Sequence, residues 1–283
     1  MALIFKKLRT ARAGSLRSRL RCAVTAATDW NPDQYLRFQR EREQPWRDLL
    51  ALVQPRPGML VADLGCGPGA LTRQLHRTLA AKETVGVDSS RAMLAAASAH
   101  EGDGVHFVHA DLARFSAGRP LDLIFSNAAL HWLPDHGRLL TRLSSALAPG
   151  GQLALQVPDN EAQPSHETAR EVAVEPAFKR PLDGYVRRSP VLQPEEYAAW
   201  LHRLGFAAQH VRAQIYPHLL PSRGAVVEWA LGSYLTDYQK RLEPEVFERF
   251  VARYRTLLLA KLSDEQPFFF TYRRVLVWGK RPA

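Results

Sequence analysis

Apolar positions along the chain follow two alternating rhythms. Short runs at residues 59–64, 84–87, 105–108, 121–125 and 152–157 have the length and character of strands buried on both faces. Between them lie stretches with helical spacing: residues 70–81 with Leu71, Leu75 and Leu79, residues 90–99 with Met93 and Leu94, and residues 139–147. Pro149-Gly150-Gly151 reads as the stop that closes the last of these helices. Strand and helix alternating at this spacing predict a doubly wound α/β fold, a mostly parallel sheet with helices on both faces.

Beyond Pro158 the rhythm breaks. Residues 158–194 are polar and carry prolines at 158, 164, 176, 181, 190 and 194, which reads as a long lid or substrate loop with little regular structure. A helix over 195–204 ending at Gly205, a strand over 207–216, helices over 225–235 and 244–262, and a strand over 268–278 complete a seven-stranded count. Residues 220–262 therefore predict a helical cap inserted before the last strand. The expected organisation is a tail over 1–28 and one domain over 29–283. Its core is 45–157, 193–219 and 268–283, and its lid and cap are 158–192 and 220–262.

Charge changes the picture at one end only. The net charge is +10 and the sequence pI about 9.9, which invites a nucleic-acid reading. Most of the excess comes from Lys6, Lys7, Arg9, Arg12, Arg17, Arg19 and Arg21, with no acid before Asp29, so the body is close to neutral and lacks a basic stripe. The tail has the composition of a transit peptide, of a solvated arm, or of an upstream extension of the reading frame. Two cysteines, Cys22 and Cys66, make no disulfide framework, and no run of about 18 apolar residues occurs. These features point to a cytoplasmic protein, with a monomer as the default state.

The candidate chemistry begins where the first strand ends, at Val61-Ala-Asp63-Leu-Gly65-Cys-Gly67-Pro-Gly69-Ala70. Glycines between a strand and a helix let backbone approach a ligand closely, at the position where doubly wound folds bind nucleotides. The block also satisfies the dinucleotide pattern G-x-G-x-x-A. Against that, Pro68 removes an N–H from the helix start, and Asp63 would repel a pyrophosphate while attracting a cation. No Lys or Arg lies between Gly58 and Thr72, which excludes a P-loop. Asp88 ends the second strand, where a carboxylate can accept both ribose hydroxyls. Asp111 follows the third, placed to read an exocyclic amine while Leu112 covers a base. A cationic end, a ribose and an adenine without phosphate describe S-adenosylmethionine (SAM). Cofactor contacts are expected from Asp63, Gly65, Cys66, Gly67, Gly69, Asp88, Ser89, Met93, Asp111, Leu112 and Asn127, and no metal is expected.

These blocks, with Leu147-Ala-Pro-Gly-Gly151, resemble the class I SAM-dependent methyltransferases. A narrower resemblance, to the trans-aconitate methyltransferase family, rests on Asp29-Trp-Asn-Pro32, Tyr35-Leu-x-Phe38, Asp88-Ser-Ser90, Trp132-Leu-Pro-Asp-His136, Pro158-Asp-Asn160, Pro164-Ser-His166 and Arg170-Glu-Val172. It implies a Rossmann-like fold and transfer of a methyl group to a carboxylate of a small polycarboxylic acid. Such a nucleophile is already ionised near pH 7, so no catalytic acid or base is expected, only positioning. Substrate contacts are expected from Tyr35, Arg42, His131, Trp132, His166, Arg170, Tyr216 and Arg273, with Arg187, Arg188, Arg274 and Tyr272 as further candidates.

Competing readings are a carboxyl methyltransferase acting on a malonyl-thioester carrier, a dehydrogenase, and a SAM-binding protein without turnover. A base methyltransferase is disfavoured because the fourth strand is followed by Asn127-Ala-Ala-Leu130, which lacks the prolines and aromatic that stack a target base.

Overall fold

The computed structural model describes residues 39–283. After α1 (Gln39–Leu50), the chain runs β1 (Leu60–Leu64), α2 (Ala70–Thr78), β2 (Glu83–Asp88), α3 (Arg91–Ala97), β3 (Val105–His109), β4 (Leu121–Asn127), α4 (His136–Ser145) and β5 (Leu147–Pro158). There follow α5 (Pro164–Val174), α6 (Pro176–Lys179), α7 (Pro194–Arg203), β6 (Ala208–Leu220), α8 (Gly224–Leu231), α9 (Thr236–Gln239), α10 (Pro244–Lys261) and β7 (Phe268–Lys280). The strands form one seven-stranded sheet in the order β3-β2-β1-β4-β5-β7-β6. β7 is antiparallel to both of its neighbours and the other pairings are parallel. The doubly wound expectation therefore describes the sheet, with an antiparallel edge added.

Period-two alternation along the strands separates two buried faces. Ala62, Ile124, Leu153, Leu155, Val275 and Val277 pack with Leu139, Leu140 and Leu143 of α4 and with Tyr197 and Leu201 of α7. Their alternates Val61, Leu123, Phe125, Ala154, Leu276 and Trp278 pack with Trp46 and Leu49 of α1 and Leu75 and Leu79 near α2. A third core lies outside the sheet. Ala169 and Val172 of α5, Phe178, Val227 and Trp229 of α8, and Phe250, Tyr254 and Leu258 of α10 meet Phe268, Phe270 and Tyr272 at the start of β7. The cap is thus built from both insertions, the one after β5 and the one between β6 and β7.

Two sequence expectations are corrected here. The stretch after Pro158 is not an irregular loop, because it holds α5 and α6, and Pro164 and Pro176 stand at the first helical positions. Proline is well tolerated there, since its missing N–H has no helical partner to lose. Nor does Pro149-Gly150-Gly151 separate helix from strand, since β5 already begins at Leu147. The glycines lie within that strand, with Gly150 at φ 67° and a register shift against β4, where Leu121 pairs with Leu147 but Leu123 with Gln152; extra residues in one strand bend it locally.

Candidate active site

β1 and β4 are neighbours in the sheet, while β2 and β5 continue it outward on either side. The loops that leave them diverge to opposite faces and open a crevice at their carboxyl ends. The loop after β1 turns through Gly65, Gly67 and Gly69 at φ 80°, 55° and 83°. Gly65 approaches the loop after β4 so closely that an added Cβ would lie 2.1 Å from the Cβ of Ala129 and 3.8 Å from Leu112. Ala129 leads directly into the short turn Leu130–Trp132. The glycine loop and the turn that carries His131 and Trp132 therefore share a wall.

The acids of the loop are held from within. Asp63 is 5% exposed and accepts a hydrogen bond from the Thr72 hydroxyl at 2.6 Å. Burial lifts its carboxyl to about 7, against the Thr72 bond and with some help from the negative charge of Asp88. Asp88 accepts from the Gly67 N–H through Oδ2 and from the Ser90 N–H through Oδ1, each at 2.9 Å. Burial raises its carboxyl as well, and those backbone bonds oppose the rise. Asp111 accepts from the Ala113 N–H at 2.8 Å and caps the turn Leu112–Arg114. At the end of β4, Asn127 Oδ1 is buried with no hydrogen-bond partner among the described residues.

These groups suit SAM. Asp63 and the orphaned Asn127 oxygen are buried acceptors facing no cation among the described residues, as a ligand with a cationic end requires. The Asp88 carboxylate has more lone pairs than its backbone bonds use, which leaves acceptor capacity for a ribose diol. Ser89 lies beside Asp88 and its carbonyl meets His109 Nε2 at 2.9 Å. Met93 is buried in the first turn of α3, its N–H donating to the Ser90 hydroxyl. The Cys66 side chain packs with Ala97, Val105 and Phe107 and its Sγ–H donates to the Gly67 carbonyl at 3.7 Å, which leaves its backbone as the part that can meet a ligand.

A cleft opens between this region and the cap, lined by His131, Trp132, Asn160, His166, Arg187 and Tyr234 among others. Burial, then Arg187 and Arg170, pushes His166 down to about 3. Burial, then Arg187 and Arg274, holds His131 well below its ordinary value. Both rings are neutral near pH 7. The rings of His166 and Tyr234 lie 4.0 Å apart, and those of His131 and Trp132 4.8 Å.

Other expected substrate residues are placed elsewhere. Arg170 stands behind the cleft, its Nη1 2.8 Å from the Glu161 carboxylate and its Nη2 donating to the Glu161 carbonyl. Arg273 is turned away from the cleft: its guanidinium pairs with Asp159, and its backbone exchanges hydrogen bonds with Asn160. Alternation along β7 explains this, because Tyr272 lines the cleft and its sequence neighbour must face the other side. Tyr216 does not reach the cleft; it packs beside Trp46 and Leu49 and donates to Asp48 at 2.8 Å. Tyr35 lies outside the described residues, as do residues 1–28. Arg42 lies in α1, where its side chain is outside them. The cleft also takes Asn160, Glu161, Ser189 and Ser233, which sequence reasoning did not single out as ligands; the Pro158-Asp-Asn160 block was the available signal for the first of them.

A family model described as a methyltransferase domain matches residues 61–151. The chain is similar to the trans-aconitate 2-methyltransferase of Deinococcus radiodurans, with 41% identity covering 89% of this chain and 98% of that protein. Its identity to the proteins of that name is 42% for Methylobacterium nodulans, over 81% of this chain and 89% of the relative, and 37% for Escherichia coli, over 90% and 99%. Among solved structures, the YcgJ protein of Bacillus subtilis superposes with a TM-score of 0.55 at 17% identity, over 85% of this chain and 99% of that one. Phosphoethanolamine N-methyltransferase 2 of Haemonchus contortus, solved with S-adenosyl-L-methionine, gives 0.51 at 18%, over 85% and 53%. At such identities these two likenesses speak for the fold alone.

Proposed function

The chain belongs to the trans-aconitate 2-methyltransferase family, and from that premise we propose that it transfers a methyl group from SAM to a carboxylate of trans-aconitate, forming a methyl ester. The observation that carries the reading is the shared wall at Gly65 and Ala129. It sets a loop of buried acceptors suited to SAM directly beside a cleft that holds a cation and two neutral histidines.

When bound, SAM supplies an electrophilic methyl group on a sulfonium. Asp63 and Asn127 would hold its cationic end, Asp88 its ribose, and Asp111 with Leu112 its adenine. The glycine loop, with Ser89 and Met93 next to it, would shape the seat. His131, Trp132 and His166 would line the acceptor's seat. The acceptor carboxylate needs no base at neutral pH. The histidines therefore serve as hydrogen-bonding walls, and their low proton affinity keeps them from removing charge from the nucleophile. The cap keeps water from the carboxylate, which strengthens each polar contact inside. Orientation of this kind is worth roughly 7–11 kcal/mol when the reacting atoms are aligned.

Part of the same proposal is that the enzyme works as a cytoplasmic monomer on the free acid, without nucleic acid. The near-neutral charge of residues 29–283 and the small cleft support that form. No described helix is long and apolar enough to cross a membrane.

The test is transfer of labelled methyl from SAM to trans-aconitate, citrate, isocitrate, a malonyl carrier and bulk tRNA. Base-labile label on trans-aconitate is expected. Label on none of them, with SAM still bound, would discard the substrate and keep the cofactor.

Asp63 adds a pH dependence. With its carboxyl raised to about 7, the free protein holds a proton there at pH 6, and a cation must displace it. SAM affinity should therefore rise by about tenfold from pH 6 to 8 and level off above the folded pKa. Calorimetry across that range checks this, and Asp63→Asn should flatten the profile. For stability the sign is opposite. The raised acid favours the fold at low pH, and that contribution fades as pH climbs from the ordinary value of 3.8 through 7.

A further inference from the structure

We propose that Arg187 selects a polycarboxylic acid by gripping a carboxylate other than the one that is methylated, an inference that rests on the reading of the cleft as an acid site. Arg187 is 7% exposed and lines the cleft. Its guanidinium carbon lies 4.3 Å from the ring centroid of Trp132 and 4.4 Å from that of Tyr234. Contact with two aromatic rings fixes the plane of the fork and strips water from its faces.

Its hydrogen bonds fix the direction as well. Nη1 donates to the Tyr234 carbonyl at 2.8 Å, and the backbone N–H of Arg187 donates to the Tyr238 hydroxyl at 3.1 Å. The Tyr234 hydroxyl donates back to the Arg187 carbonyl at 3.2 Å. Nε lies 3.5 Å from the Asp237 carboxylate, which anchors that side of the group. Among the described residues Nη2 makes no hydrogen bond. The fork is preorganised, and donors remain for a ligand.

The other charges around the cleft do not offer the same. Glu161 lines it but is matched by Arg170 at 2.8 Å, and Arg273 is engaged by Asp159. Arg188 is exposed. Arg274 is buried, and its Nη1 is directed at Gln156.

Why the gripped carboxylate is a spectator follows from its chemistry. An arginine fork engages both oxygens and draws their charge, which makes that carboxylate a poorer nucleophile. The methyl group arrives from the β1–β4 side, past Ala129, whereas the Arg187 fork is anchored by Tyr234 and Asp237 of the cap. An acid with carboxylates at both ends can span the two, and a monocarboxylic acid cannot.

The experiment compares Arg187→Met and Arg187→Lys with the unaltered protein. The readouts are kcat and KM for trans-aconitate and for crotonic acid, together with SAM affinity by calorimetry. Arg187→Met should raise the KM for trans-aconitate by about 10- to 100-fold and leave SAM binding intact. The preference for trans-aconitate over crotonic acid should shrink by the same factor. Arg187→Lys keeps a charge in the stack but loses the fork, so a smaller shift in the same direction is expected, and it is the measurement to read if the methionine variant fails to fold. Unchanged KM in the lysine or the methionine variant would overturn the assignment, and so would equal losses for both acids. An unaltered protein that binds SAM but methylates no polycarboxylate would instead overturn the acid-site reading itself.

Discussion

Replacing Gly65 by alanine is expected to lower the melting temperature by about 5–15 °C and to remove measurable SAM binding. Two costs add. At φ 80° the backbone lies in the left-handed region, which a residue with a Cβ occupies at about 1–2 kcal/mol. The new methyl would then lie 2.1 Å from the Cβ of Ala129, and relieving such an overlap in a packed site typically costs another 1–3 kcal/mol. In a domain of this size each kcal/mol lowers the midpoint by about 2–4 °C. Relief must come from moving the β1 loop or the β4 turn, the two walls of the crevice, so cofactor affinity falls with stability. Gly184→Ala is the control: it shares the positive φ, at 71°, but nothing lies within 4 Å of the added methyl. Only the backbone cost should appear there, with SAM affinity unchanged. Equal behaviour of the two variants in thermal melts and calorimetry would show that the Gly65–Ala129 contact sets nothing.

The parts of the molecule that could be read from the sequence are those fixed by local periodicity. Strands buried on both faces leave a dense apolar run, as in Leu121–Asn127, where Leu121, Leu123, Ile124 and Phe125 are all buried and only Asp122 breaks the series. The glycines at 65, 67 and 69 mark a turn that other residues would strain. Proline caused the main misreading of secondary structure, since Pro164 and Pro176 start helices rather than excluding them. The cap could be placed along the chain, but its composition could not. Phe178 and Phe250, 5.3 Å apart between ring centroids, come from different insertions.

The site divides the same way. Asp63, Asp88 and Asp111 follow from strand ends, so their place needs no tertiary knowledge. Arginine is different, because a guanidinium is defined by what surrounds it. Arg170, Arg187 and Arg273 look alike in sequence, yet the first is matched by Glu161, the second lies between two rings, and the third holds the corner at Asp159. Arg273 was nevertheless within reach. It alternates with Tyr272 and Arg274, so those two share one face of β7 and Arg273 takes the other.

Asp88→Ala should weaken SAM binding by about 30- to 1,000-fold, because one carboxylate serves two purposes. Its oxygens tie Gly67 and Ser90 at 2.9 Å, which holds the glycine loop against the start of α3. Its remaining lone pairs meet the ribose in the reading argued above. Hydrogen bonds to a charged group are worth about 1.5–3 kcal/mol each, but two that share one carboxylate are less than additive, so losing the ribose pair and loosening the loop gives about 2–4 kcal/mol in all. The two purposes separate in a cycle with a 2′-deoxy cofactor analogue. If Asp88 touches the ribose, removing the 2′-hydroxyl should weaken binding to the unaltered protein by about tenfold and binding to the alanine variant hardly at all. Equal losses in both proteins would remove the ribose from the role of Asp88. The carboxylate would then be a brace, holding Gly67 in place so that the backbone of the loop can meet the ligand.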